Sequence, residues 1–192
     1  WPAAALDSVE RLDYFRPAAW QACTPDTDFS AVAFAFGKML RDSLQVPVGL
    51  ICNAVGGSTT ESWVSRDVLE AQFPAILDNW LYNDFVQDWA RGRAYKNISR
   101  RSSDRMDRHP YQPCYLFEAG ILPLERYPLK GVIWYQGESN ADRVEVHEDL
   151  FPLLVDSWRR YFSQDGRSKP AMTTTVIPGL TGNLPFYYVQ LS

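Results

Sequence analysis

Residues 137–141, Gly137-Glu138-Ser139-Asn140-Ala141, have the G-x-S-x-G/A form of a nucleophile elbow, in which a serine on a sharp strand-to-helix turn attacks an ester carbonyl. Four polar side chains, Gln136, Glu138, Ser139 and Asn140, crowd behind an otherwise apolar segment, LKGVIWYQG (129–137). Polar groups are costly to bury without partners, so this density marks either a site or a hydrogen-bonded turn. An elbow serine also needs an acid and then a histidine later in the chain. The histidine that follows Ser139 is His147, beside Glu148 in a helical segment, where it reads as a surface residue. His109, in the DRHP stretch, lies in a polar insertion. Ser139 therefore lacks its general base.

A second candidate site lies at Asn53-Ala54-Val55-Gly56-Gly57-Ser58-Thr59. Glycines there let the backbone approach a ligand, and amide N–H groups opening the next helix can bind developing negative charge. The same glycines also suit a tight turn with no chemistry at all.

The elements around both turns alternate. FSAVAFAFGKMLRDSL (29–44) sets Phe29, Val32, Phe36, Met39, Leu40 and Leu44 near helical spacing, with Asp28 available as a cap. VPVGLICNAV (46–55) is an almost unbroken apolar run that reads as a buried parallel strand, and TTESWVSRDVLEAQ opens a helix after the Gly-Gly turn. LKGVIWYQG reads as a second strand, and RVEVHEDLFPLLVDSWRRYF (143–162) as a helix with an apolar stripe at 146, 150, 154, 158 and 162, in which Pro152 must sit early or introduce a kink. LPFYYVQL (184–191) reads as a third strand. Helices alternating with buried strands predict an α/β fold with a parallel sheet covered on both faces. In such sheets ligands bind at the carboxyl ends of strands, where both Gly turns fall. The segment 77–112, dense in Arg and Lys, reads as a solvated helical insertion or mobile loop, with a substrate-facing lid as the alternative.

With 192 residues, 46% hydrophobic and 14% aromatic, the chain has the content of one domain. A formal charge of −4 with scattered cations argues against a nucleic-acid partner, and neutral or mildly polar ligands fit better. No run of 18 apolar residues is present and WPAAALDSVERLDYF lacks the regions of a signal peptide, so no membrane partner is expected. Cys23, Cys52 and Cys114 lack CxxC spacing, so neither a zinc site nor a disulfide scaffold is indicated; they read as three buried free thiols, with one pair as the alternative.

Four blocks in order, VPVGLICNAVGGSTTESW (46–63), PCYLFEAGILPL (113–124), YPLKGVIWYQGESNA (127–141) and LPFYYVQLS (184–192), resemble the sialate O-acetylesterase group of the SGNH hydrolases. The resemblance implies a flavodoxin-like three-layer α/β/α fold and hydrolysis of acetyl esters on carbohydrates such as sialic acid, without metal or cofactor. It implies that Gly57 supplies an oxyanion N–H, that Gln136 supplies a second donor, and that Glu138 assists the catalytic histidine. Gly56, Ser58, Asn140 and Trp63 are implied on the substrate side, and Ser139 becomes a turn residue. The family's nucleophilic serine, in a GQSNM-type motif, and its histidine, in D-x-x-H, have no counterpart in residues 1–192. The expectation is thus one esterase domain that is inactive alone and completed by another polypeptide segment, with the exported glycans on which such enzymes act as its setting. The alternatives are a carbohydrate-binding remnant that has lost its nucleophile, an acetylxylan-type esterase, an esterase that uses Ser139 or Ser58 with another base, and a structural module built on the fold. Three departures from the group's pattern stand out: Thr59-Thr60-Glu61 after the Gly-Gly turn; Glu118 in LFEAG, which reads either as an added charge near the site or as a solvent-facing helix residue; and a longer stretch at 163–183.

Overall fold

The computed structural model describes residues 9, 12–15, 18–99, 108–125, 127–163 and 186–188. The chain divides into two compact units, 16–55 and the remainder.

In the 16–55 unit, helix α1 (Ala31–Leu44) starts at Ser30, whose Oγ accepts from the Ala33 N–H at 3.3 Å. Ser30 therefore caps the helix, two residues after the expected Asp28, because an N-cap oxygen must reach the N–H three residues on. The helix ends at Gln45 in the left-handed region, whose N–H closes on the Arg41 carbonyl. The segment 46–55 corrects the expected first strand: among the described residues it is irregular, without ladder partners, and mostly exposed. Instead it lies across α1, where a Cβ at Gly37 would meet Leu50 Cδ1 at 2.7 Å. A short apolar run carries no signal of its own for pairing, and Val46 and Ile51 are left exposed. Cys23 and Cys52 are exposed as well, so only Cys114 fits the expectation of buried thiols; all three are free.

The larger unit is built around the stretch Ser58–Ser65, buried throughout, which holds a 3-10 turn at Thr60–Trp63 and leads into α2 (Arg66–Gln72). Helix α3 (Asp88–Ile98) follows, burying Ala90, Ala94 and Asn97. A π-helical turn at Phe117–Ile121 is buried except at Glu118. Strand β1 (Val132–Trp134) is the paired part of the expected 129–137 strand; the chain then leaves the ladder, with Tyr135 55% exposed. β1 pairs in parallel with β2 (Phe186–Tyr188), Val132 opposite Phe186 and Trp134 opposite Tyr188. Among the described residues no wider sheet forms. The expected long connection at 163–183 lies outside them beyond Ser163.

Helix α4 (Val144–Ser163) follows the sequence pattern closely: Leu150, Leu154, Trp158 and Phe162 are buried at i,i+4 spacing, and Pro152 sits well inside the helix. α4 packs on the 60–63 turn and on α2. Trp158 donates its indole N–H to the Trp63 carbonyl at 2.8 Å, and Trp63, Trp134 and Trp158 meet with centroids 5.8–6.5 Å apart. These three rings join the Gly-turn segment, β1 and α4 into one core.

The 77–112 segment is no solvated insertion where it is described. Val86, Gln87, Ala90, Ala94, Asn97, His109 and Tyr111 are buried. His109 accepts from the Tyr111 N–H at 3.1 Å and sits 3.0 Å from the Asn97 amide, and burial pushes its pKa down to about 3. It is a neutral core histidine. Residues 100–107, which carry much of the basic character, fall outside the described residues.

Candidate active site

The Gly56-Gly57 turn and the Gln136–Asn140 turn come together in the larger unit. Gly57 has φ +73°, in the left-handed region, and a Cβ there would meet Tyr111 Oη at 2.7 Å. Glycine is required on both counts. Tyr111 is fixed by donating its hydroxyl to the Gly56 carbonyl at 3.1 Å. Trp89 of α3 stands edge-on to Tyr111, centroids 5.6 Å apart, with its ring within 3.5 Å of the Gly57 Cβ position. The Gly57 N–H makes no hydrogen bond to any described residue, so it remains available to a ligand oxygen.

Below this turn is a hydrogen-bond hub. Gln136 donates its two amide protons to the Ser58 carbonyl at 3.1 Å and to Asn140 Oδ1 at 2.8 Å. Asn140 Oδ1 also accepts from the Thr60 backbone N–H at 3.0 Å, and Asn140 Nδ2 donates to Glu61 Oε2 at 3.2 Å. Thr60 Oγ1 lies 2.9 Å from Gln136 Oε1, 3.1 Å from Asn140 Oδ1 and 3.1 Å from His147 Nδ1. Trp63 donates its indole N–H to Ser58 Oγ at 2.9 Å. Two turns separated by about eighty residues are thereby locked in register.

The site residues named from sequence take distinct places. Gly56 is exposed and Gly57 half-buried at the surface of the turn, whereas Ser58, Trp63 and Asn140 lie beneath it, nearly free of solvent contact. Gln136 is half-buried with both amide protons engaged. Glu138 is exposed at the head of the 3-10 turn Glu138–Asn140. Ser139, next to it, makes no hydrogen bond to His147 among the described residues. His147 corrects the surface reading: it is half-buried against Thr60, with Nε2 3.8 Å from the Gly137 Cβ position, and burial lowers its proton affinity. Glu118, expected to face solvent, is instead half-buried between Arg66, 2.8 Å away, and Arg108.

Glu61 is 0% exposed. Burial drives its carboxyl above the ordinary 4.5; its own backbone N–H, the nearby Thr59 hydroxyl and the Asn140 amide pull it back less. Neither Glu61 Oε1 nor Thr59 Oγ1 completes a hydrogen bond among the described residues, although the two groups are close. The folded protein thus holds a proton that the unfolded chain releases above 4.5, and stability falls as pH rises from there toward the raised folded value. Glu61→Gln keeps an oxygen for Asn140 and cannot ionise. Its melting temperature is expected to match the parent at pH 4 and to exceed it increasingly toward pH 8; parallel pH profiles for the two proteins would contradict a protonated Glu61.

Thr60, Glu61, Tyr111, Trp89 and His147 were not assigned site roles from the sequence. Thr60-Glu61 carried a signal, as polar residues departing from the family pattern just after the Gly-Gly turn. The other three carried none, because their relation to the turn exists only in three dimensions.

Residues 16–165 match the family model described as "Carbohydrate esterase, sialic acid-specific acetylesterase". Sialate O-acetylesterase of Rattus norvegicus is 32% identical over 202 residues, a match that covers 98% of this chain and 34% of the relative. That of Mus musculus is 34% identical over 172 residues, covering 86% and 30% respectively. That of Homo sapiens is 32% identical over 164 residues, covering 85% and 25%. The chain therefore spans about a third or less of the length of the curated relatives it matches.

Proposed function

Since this chain belongs to the carbohydrate esterase family of sialic acid-specific acetylesterases, we propose that it supplies the oxyanion-binding and turn-positioning part of a carbohydrate O-acetylesterase. The substrate is an acetyl ester on sialic acid or a related sugar. The observation that carries this reading is the Gly57 N–H, at φ +73° and without a hydrogen-bond partner among the described residues, on a turn tied to the hub beneath. When a serine oxygen adds to the acetyl carbonyl, negative charge collects on one oxygen, and a preorganised N–H in a sheltered site stabilises it far better than water does. Collapse of that intermediate expels the sugar hydroxyl, and water then releases acetate from the serine.

The supporting roles follow from position. Gln136 clamps the Ser58 carbonyl to Asn140 in the resting site, and donates to the oxyanion only by exchanging one of those acceptors for it. Glu138, exposed beside the turn, is placed to orient the family's catalytic histidine and stabilise its cation. Gly56 opens the surface to substrate. Ser58, Asn140 and Trp63 act on the sugar indirectly, by fixing the backbone that touches it. The parallel β1–β2 pair with α4 beside it supports a three-layer SGNH arrangement, in which the nucleophile and the D-x-x-H histidine come from sequence outside residues 1–192.

Trp89 adds a surface that the sequence did not suggest. An indole beside the oxyanion turn is suited to stack on the apolar face of a sugar ring, and Arg93, 5.8 Å from its centroid, steadies it. In the polypeptide extended at both ends by its own coding sequence, acetate release from O-acetylated sialate tests the function. Trp89→Ala is expected to raise KM about tenfold, corresponding to about 1.4 kcal/mol of binding, with kcat little changed. An unchanged KM would remove Trp89 from the substrate site; absence of acetate release by the parent would refute the esterase reading itself.

A further inference from the structure

The polarity of the hub determines which nitrogen of His147 carries the proton. The Ser58 carbonyl can only accept, so the Gln136 atom 3.1 Å from it is the NH2 group, and the Gln136 atom 2.9 Å from Thr60 Oγ1 is the oxygen. The Thr60 backbone N–H can only donate, so the Asn140 atom 3.0 Å from it is likewise oxygen, and that oxygen lies 3.1 Å from Thr60 Oγ1. Thr60 Oγ1 thus faces two groups that only accept, and it has one proton to give. Were that proton directed at His147 Nδ1, both carbonyl oxygens would face a bare hydroxyl oxygen at hydrogen-bond distance, an unfavourable contact in a buried setting. The arrangement is satisfied when Thr60 donates to the amide oxygens and accepts at 3.1 Å from a protonated His147 Nδ1.

A neutral imidazole protonated at Nδ1 has its lone pair on Nε2. That atom stands 3.8 Å from the Gly137 Cβ position, at the Gln136–Asn140 turn, and has no hydrogen-bond partner among the described residues. We propose that His147 is a substrate-binding residue of this site: locked by Thr60 with its proton on Nδ1, it presents Nε2 as a hydrogen-bond acceptor to a hydroxyl of the sugar that carries the ester. This rests on the acetylated-sugar reading above. Partial burial of the ring works in the same direction, keeping it neutral and its lone pair available. A sugar offers hydroxyl donors in plenty, whereas the Ser58 carbonyl, Gln136 Oε1 and Asn140 Oδ1 are already engaged with N–H and O–H groups of the hub.

The test is long-range 1H–15N NMR of the chain labelled with [15N]histidine, with His147 assigned by loss of its signals in His147→Phe. Protonated Nδ1 with bare Nε2 is expected, and addition of the methyl glycoside of O-acetylated sialate is expected to move the Nε2 resonance. A proton on Nε2, or no movement at saturating sugar, overturns the proposal. Kinetics of the extended polypeptide keep it separate from the esterase reading. His147→Phe should lower kcat/KM for the acetylated sugar about tenfold more than it lowers that for an aryl acetate that lacks hydroxyls, with the difference in KM. Equal losses on both substrates would mean that the ring is merely structural. A parent protein that hydrolyses neither would sink the esterase reading, while the NMR result would still decide the state of His147 and its contact with sugar.

Discussion

In the polypeptide extended at both ends, the oxyanion role proposed for Gly57 predicts that Gly57→Ala lowers acetyl-ester hydrolysis by about two to three orders of magnitude, and the variant is expected to destabilise the fold as well. Two separate effects act at this position. A side chain in the left-handed region costs about 1–2 kcal/mol wherever it occurs. The added Cβ would also sit 2.7 Å from Tyr111 Oη, which cannot retreat without giving up its hydrogen bond to the Gly56 carbonyl. Movement of either group turns the Gly57 N–H away from its aim. Tyr111→Phe removes the clashing oxygen, so Gly57→Ala/Tyr111→Phe should recover part of the lost stability and little of the activity, because the backbone strain remains. A double variant as active as the parent would show that this N–H takes no part in catalysis.

The second large effect is expected at Trp63. The ring is 3% exposed, packs edge-on to Trp134 and tilted against Trp158, and donates to Ser58 Oγ, while its carbonyl receives the Trp158 indole. Trp63→Ala removes a large ring from the point where the Gly-turn segment, β1 and α4 meet, with an expected loss of about 3–5 kcal/mol. For a chain of this size that corresponds to a fall in melting temperature of roughly 10 °C or more. Trp63→Phe keeps most of the volume and forfeits the bond to Ser58, so it should cost about 1 kcal/mol. If Trp63→Ala melted within a few degrees of the parent, the three-tryptophan core would not be what holds the turn in place.

Helix α4 was legible because its stripe repeats at 150, 154, 158 and 162, and periodicity over twenty residues is a strong local signal. The Gly-Gly turn and the crowded polar residues of 136–140 were legible for a related reason, since both break the apolar runs that precede them. The segment 46–55 misled, because an apolar run specifies burial but not the partner that would make it a strand. At α1 the cap moved from Asp28 to Ser30, a choice between two good capping residues that only the backbone geometry makes. His147 was hidden by its neighbours Glu145, Glu148 and Asp149, which suggest a solvated face; the hydroxyl it meets belongs to Thr60, 87 residues away. Trp89 and Tyr111 were obscured in the same way, on a segment whose basic composition suggested a solvated loop.

The proposed mechanism requires that Gly57 and its turn serve a serine outside residues 1–192. Fluorophosphonate labelling of the polypeptide extended at both ends, with the modified residue mapped by peptide mass analysis, tests this most directly. One label on a serine outside residues 1–192, lost when an O-acetylated sialate occupies the site, is the predicted result. A label on Ser139 or Ser58 would contradict it, making the elbow itself the nucleophile and the Gly57 turn a structural feature.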